Sequence, residues 1–80
     1  MSVAKSGVFD ESILSALLYH IRVEGGVLML DKFNLAELRR SGLPAADLRR
    51  AATLGGKRGL IEGDSINGVP VLRLTERRAA

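Results

Sequence analysis

NLAELRRSGLPAADLRRAATLGGKRGLIEGDSINGVPVLRLT, residues 34–75, carries a helix pattern, an abrupt stop, a second helix pattern and a hairpin in direct succession. Asn34 and Glu37 have the spacing of a capping box, so a helix is expected to open at Asn34. Leu35 and Leu38 then face inward, and Arg39 and Arg40 outward. Ser41-Gly42 ends that helix. Pro44 disfavours helical geometry at Leu43, and its ring-fixed φ suits the first turn of a new helix, which leaves a turn of about three residues between the two.

The next helix is expected over residues 45–57. On a helical wheel Pro44, Leu48, Ala51, Ala52 and Gly55 gather on one side, while Ala46, Arg49, Arg50, Thr53 and Lys57 gather on the other. One face is small and apolar; the opposite face is long and basic. Gly55 and Gly56 each cost about 1 kcal/mol relative to alanine in a helix, so the end is expected between Leu54 and Arg58, with Gly59 as the C-terminal cap. Beyond Gly59 the pattern alternates. Leu60-Ile61-Glu62 and Val71-Leu72-Arg73-Leu74 pair around Asn67-Gly68, the favoured dipeptide of a two-residue type I′ turn. That register sets Glu62 opposite Arg73 and Ile61 opposite Leu74, so a charge pair and an apolar pair both match. Pro70 has no N–H to donate, which predicts either that its strand is an edge or that the hairpin opens near its tip.

Working back toward the N-terminus, the short apolar run over residues 27–30 reads as a strand. Ile13, Leu14, Leu17, Leu18 and Ile21 recur at helical spacing, with Asp10 placed to cap the helix, Glu11 in its first turn, and Gly25-Gly26 at its end. Residues 1–8 are expected to be a loose tail, 9–76 the folded domain, and 77–80 a short basic tail.

At 80 residues the chain holds one domain with a modest core. Its 46% hydrophobic and 26% charged content is that of an ordinary globular protein. The absence of cysteine removes disulfides and thiolate metal cages and fits a cytoplasmic setting. The first residues lack the apolar core of a signal peptide, and no apolar run is long enough to span a bilayer. Net charge is +3, and its location is informative. Residues 34–58 contain Arg39, Arg40, Arg49, Arg50, Lys57 and Arg58 against Glu37 and Asp47; six minus two gives +4, which leaves −1 for the rest. A surplus gathered in one region is the footprint of a polyanion-binding surface, although a charged helix face is more often only solvated.

Helix, short strand, helix, turn, helix and hairpin resembles a winged helix-turn-helix domain, an α+β fold of three helices with a short strand and a C-terminal β-hairpin wing. The local likeness lies in Gly59-Leu60-Ile61-Glu62 and Val71-Leu72-Arg73-Leu74-Thr75-Glu76, which are similar to the wing strands of bacterial and phage transcription regulators. The resemblance implies a DNA-binding protein, a small transcriptional regulator or accessory factor, whose helix over 45–57 reads the major groove of double-stranded DNA. It implies DNA-binding roles for Ala46, Arg49, Arg50, Thr53, Lys57 and Arg58, with Arg39, Arg40, Asn67 and Arg73 in support. The wing departs from the family pattern: Asp64 stands where a basic tip is expected, and Arg73, Arg77 and Arg78 are the residues able to offset it.

A module this small needs a second copy or a cooperative neighbour for useful specificity, with the first helix or residues 27–33 as the contact. The alternative is a winged-helix protein-interaction module in a larger assembly, its arginines meeting an acidic protein surface. No enzyme, cofactor or small-molecule site is indicated. His20 has no cysteine partner and reads as structural or surface. No serine sits in a nucleophile elbow. The Walker pattern fails at Ala51 and Arg58, so nucleotide binding is set aside. Phe9, Tyr19 and Phe33 are scattered, which suits core or subunit contacts better than a base-stacking platform.

Overall fold

The computed structural model describes residues 2–75. The elements run α1 (Ser2–Val23), β1 (Val27–Met29), α2 (Lys32–Arg40), α3 (Ala45–Lys57), β2 (Ile61–Ile66) and β3 (Val69–Leu74). Three helices and one three-stranded antiparallel sheet make a small α+β fold. Glu76 and the expected basic tail over 77–80 lie outside the described residues.

All three helices end in the same device. After each last turn a glycine adopts a left-handed conformation: Gly25 (φ 89°), Gly42 (φ 97°) and Gly59 (φ 71°). The next amide reaches back across the turn, from Gly26 to the Ile21 carbonyl, from Leu43 to Leu38, and from Leu60 to Gly55, each at 2.8 Å. These are Schellman closures, which satisfy carbonyls that a helix end otherwise leaves without partners.

The helix starts differ from the sequence expectation. α1 is helical from Ser2, so Asp10 lies inside it and caps nothing. Once Ile13 to Ile21 anchor the helix by packing, extending it toward the N-terminus adds a hydrogen bond for each residue ordered, and no proline interrupts residues 2–8. α2 opens at Lys32, capped by Asp31, whose extended backbone lets its Oδ1 accept from the Asn34 amide at 2.8 Å. Asn34 is not the cap because its side-chain amide is used elsewhere, donating to the Met29 carbonyl at 2.7 Å and tying α2 to the end of β1. Asp31→Ala is therefore expected to cost about 1 kcal/mol, seen as a lower urea midpoint at unchanged m-value, while Asp31→Ser keeps most of the stability. α3 keeps its expected limits. Pro44 is its N-cap rather than its first helical residue, and Gly55 and Gly56 neither fray nor end the helix.

The hairpin register is as read, with Ile61 opposite Leu74 and Glu62 opposite Arg73. Asn67 (φ 53°) and Gly68 (φ 80°) supply the two left-handed residues of a type I′ turn. Both expectations for Pro70 fail. The strand order is β1-β3-β2, so β3 is central, and pairing continues unbroken to Ile66 and Val69. The sheet accommodates Pro70 because it lies just beyond the β1 pairing, where its carbonyl still accepts from the Leu30 amide at 2.8 Å. Only the outermost rung toward β1 lacks a donor.

The core sets Ile13, Leu14, Leu17 and Ile21 of α1 against Leu38, Leu43, Leu48 and Ala51 from the α2–α3 pair and Leu28, Ile61 and Leu72 from the sheet. Leu18 packs against this cluster from its edge. Among the described residues no charged or polar side chain is buried, so the core itself is held by apolar contact. Leu35 departs from its expected inward position and is exposed; α2 docks mainly through Leu38. Phe9, Tyr19 and Phe33 are exposed as well, which removes them from the core.

Candidate functional site

The outward face of α3 is the strongest candidate surface. Leu48, Ala51 and Gly55 are buried beneath the helix, and Ala46, Arg49, Arg50, Thr53 and Lys57 are exposed on its other side. The apolar stripe fixes the rotation of the helix, and that rotation presents the basic residues to solvent. The turn that positions it is short: Leu43 is buried in the core, and Pro44, with extended backbone, starts α3 by accepting from the Leu48 amide at 2.9 Å.

The basic residues do not form one undivided patch. Neighbours in a helix point about 100° apart, and here that angle separates Arg49 from Arg50. Arg50 turns toward α1, where it donates to Asp10 Oδ1 at 2.8 Å and lies 5.5 Å from the centre of the Phe9 ring. Arg58 makes a two-pronged contact with Glu11, one bond at 3.0 Å to Oε1 and a second to Oε2. The hydrogen bond from Arg58, helped by its charge, holds the Glu11 carboxyl below its ordinary range. The same bond raises the Arg58 guanidinium above its usual value.

Arg49 faces the other way. It edges an open groove with Leu30, Leu35, Ala45, Leu48, Ala52 and Pro70. A neighbouring groove shares Leu35, Ala45 and Leu48 and carries Lys32 and Arg39. Arg39 and Arg40 occupy the last turn of α2, where positive charge also complements the helix dipole. Arg39, Arg40, Arg49 and Lys57 are exposed and make no ion pair among the described residues.

The hairpin differs from the expected wing. Asp64 is not at the tip but within β2, opposite Val71. Its carboxylate is 2.8 Å from the Arg73 guanidinium, so the negative charge is offset locally and Arg73 is engaged there. Asn67 stands exposed in the turn itself. Arg77 and Arg78 lie outside the described residues. His20 has a structural contact, its Nε2 lying 3.1 Å from Ser41 Oγ and linking α1 to the end of α2.

Two features escaped the sequence reading. Lys32 joins the basic rim because α2 is capped by Asp31 and opens at Lys32 rather than at Asn34, which an Asp-x-x-Asn cap reading would have found. Asp10 and Glu11 become partners of α3, and no local signal reveals a contact over that sequence separation. No family model, curated protein or solved structure matches this chain.

Proposed function

We propose that this chain is a winged helix-turn-helix domain that binds double-stranded DNA, with α3 in the major groove and the β2–β3 hairpin as the wing. The observation that carries the reading is the exposure of Ala46, Arg49, Thr53 and Lys57 on one helix whose opposite face is locked into the core. The element order and the β1-β3-β2 sheet support it, because they set α2, a short turn and α3 beside a hairpin. In this reading Arg49 reaches a guanine edge or a phosphate, Thr53 a base methyl or phosphate, and Lys57 the backbone. Arg39 and Arg40 add charge from α2. Asn67 and backbone amides are the hairpin's first contribution, with Arg73 in support from its pairing with Asp64. A small transcriptional regulator acting with the nucleoid in the cytoplasm, as a dimer or beside a cooperative neighbour, is the corresponding cellular role. No described helix is long and apolar enough to cross a membrane.

A second reading, a protein-interaction module, is favoured by one observation: the groove beside Arg49 has an apolar floor built from Leu30, Leu35, Leu48 and Ala52. Titration against duplex DNA at several salt concentrations separates the two. DNA binding predicts an affinity that falls linearly with salt on logarithmic axes, with a slope shallower by about 1.8 in Arg49→Ala/Lys57→Ala if two phosphate contacts are lost. An absence of duplex binding at low salt decides for the protein partner.

A further inference from the structure

We propose that Asp10 and Glu11 are specificity-determining residues of the α3 surface: by engaging Arg50 and Arg58 they withhold two positive charges from phosphate and lower sequence-blind affinity for DNA. This rests on the DNA-binding reading and deepens it.

The geometry divides the arginines by task. Arg50 is held on the α1 flank by Asp10 at 2.8 Å and by the Phe9 ring, and Arg58 by both carboxylate oxygens of Glu11. Arg49 makes no ion pair among the described residues and borders the opposite flank. A phosphate approaching Arg50 or Arg58 meets a carboxylate already in place and is repelled by its charge. Sequence-blind binding scales with the number of phosphates neutralised, whereas base-edge contact at Arg49 does not depend on those two charges. Removing cations from the first term while sparing the second widens the gap between chosen and arbitrary sites. Exposed ion pairs are individually weak, so the hold is a bias that substitution readily reverses rather than a lock.

The test uses short duplexes of arbitrary sequence and four proteins: the wild type, Asp10→Asn/Glu11→Gln, Arg50→Ala/Arg58→Ala, and the combination of all four changes. Release of both arginines is expected to steepen the salt slope by about 1.8 and to tighten arbitrary-sequence binding about 10-fold at moderate salt. Arg50→Ala/Arg58→Ala in the wild-type background is expected to leave the slope nearly unchanged, and in the Asp10→Asn/Glu11→Gln background to abolish the gain. Binding by Asp10→Asn/Glu11→Gln at moderate salt, where a wild type that binds at low salt has become too weak to measure, also supports the proposal. It is overturned if the wild type binds duplex and Asp10→Asn/Glu11→Gln binds with the same slope and affinity. It is equally overturned if Arg50→Ala/Arg58→Ala alone flattens the slope by about 1.8, which would mean that those arginines already hold phosphates. If no variant binds any duplex at low salt, the DNA reading itself falls, an outcome distinct from the other two. Should Asp10→Asn/Glu11→Gln not fold, judged by its circular dichroism melt, the Arg50→Ala/Arg58→Ala slope decides alone.

Discussion

Replacing Gly55 with valine is expected to lower the stability of the domain by about 3 kcal/mol, while Gly56→Ala one position later raises it by roughly 1 kcal/mol. The two glycines have the same helical backbone and different surroundings. A Cβ placed on Gly55 would lie 2.5 Å from Ile61 Cδ1, 2.9 Å from its Cγ1 and 3.2 Å from Leu14 Cδ1. Those neighbours are buried core side chains from β2 and α1, so the branched side chain of valine is accommodated only by repacking Ile61 and Leu14 or by shifting α3 from the sheet. Gly56 is exposed, and its nearest neighbour, the Ile61 carbonyl, would stand 3.9 Å from an added methyl, an ordinary contact. Alanine there only removes the excess freedom of the unfolded chain. A domain of this size has roughly 4–12 kcal/mol of total stability, so the Gly55 change lowers the melting temperature by roughly 12–24 °C. Thermal unfolding by circular dichroism measures both. An unchanged midpoint for Gly55→Val would mean that α3 and β2 do not approach this closely.

That pair shows where sequence reading succeeds and where it stops. By composition Gly55 and Gly56 are two equal costs to a helix, about 1 kcal/mol each relative to alanine. What distinguishes them is Ile61, which lies across a helix end and a turn and belongs to the sheet. The hairpin was legible because its determinants are local: Asn67-Gly68 sets the turn, and the pairs Glu62–Arg73 and Ile61–Leu74 set the register. The central position of β3 was not, because it depends on β1 returning from far away in the chain to pair with Val71, Leu72 and Arg73.

The same distinction runs through the candidate site. The exposed face of α3 followed from periodicity, since burial of Leu48, Ala51 and Gly55 leaves Arg49, Thr53 and Lys57 nowhere to go but outward. Which arginines remain unpaired did not follow. Asp10 looked like a helix cap because polar residues next to an apolar pattern usually are, yet α1 continues past it and turns its carboxylate toward Arg50. Asp64 looked like a negative wing tip, and the turn lies further along, leaving Asp64 to pair diagonally with Arg73. Electrostatic partnership is a tertiary property, and a count of charges by segment records only its raw material.

Reversing a single charge on α3 is expected to have the largest effect on binding: Arg49→Glu weakens duplex affinity about 30- to 100-fold at moderate salt, a loss of about 2–3 kcal/mol. The proper comparison is Arg22→Glu, which changes net charge by the same amount on an exposed residue in the last turn of α1. If binding follows net charge alone, the two variants weaken it equally, because a diffuse field depends little on where the charge sits. If α3 is the contact surface, Arg22→Glu changes affinity less than about 3-fold, since screening over roughly 8–10 Å removes a charge on another element from the interface. Arg49 is also the informative choice on structural grounds. It is exposed and makes no ion pair among the described residues, so its reversal strips no partner of its counter-charge and leaves folding intact. Arg50→Glu would confound the result, because it would set two carboxylates against each other at Asp10 and disturb the packing of α1 on α3. Equal losses for Arg22→Glu and Arg49→Glu would reduce the interaction to non-specific attraction by a basic protein, and an Arg49→Glu protein that binds as the wild type does would remove α3 from the interface altogether.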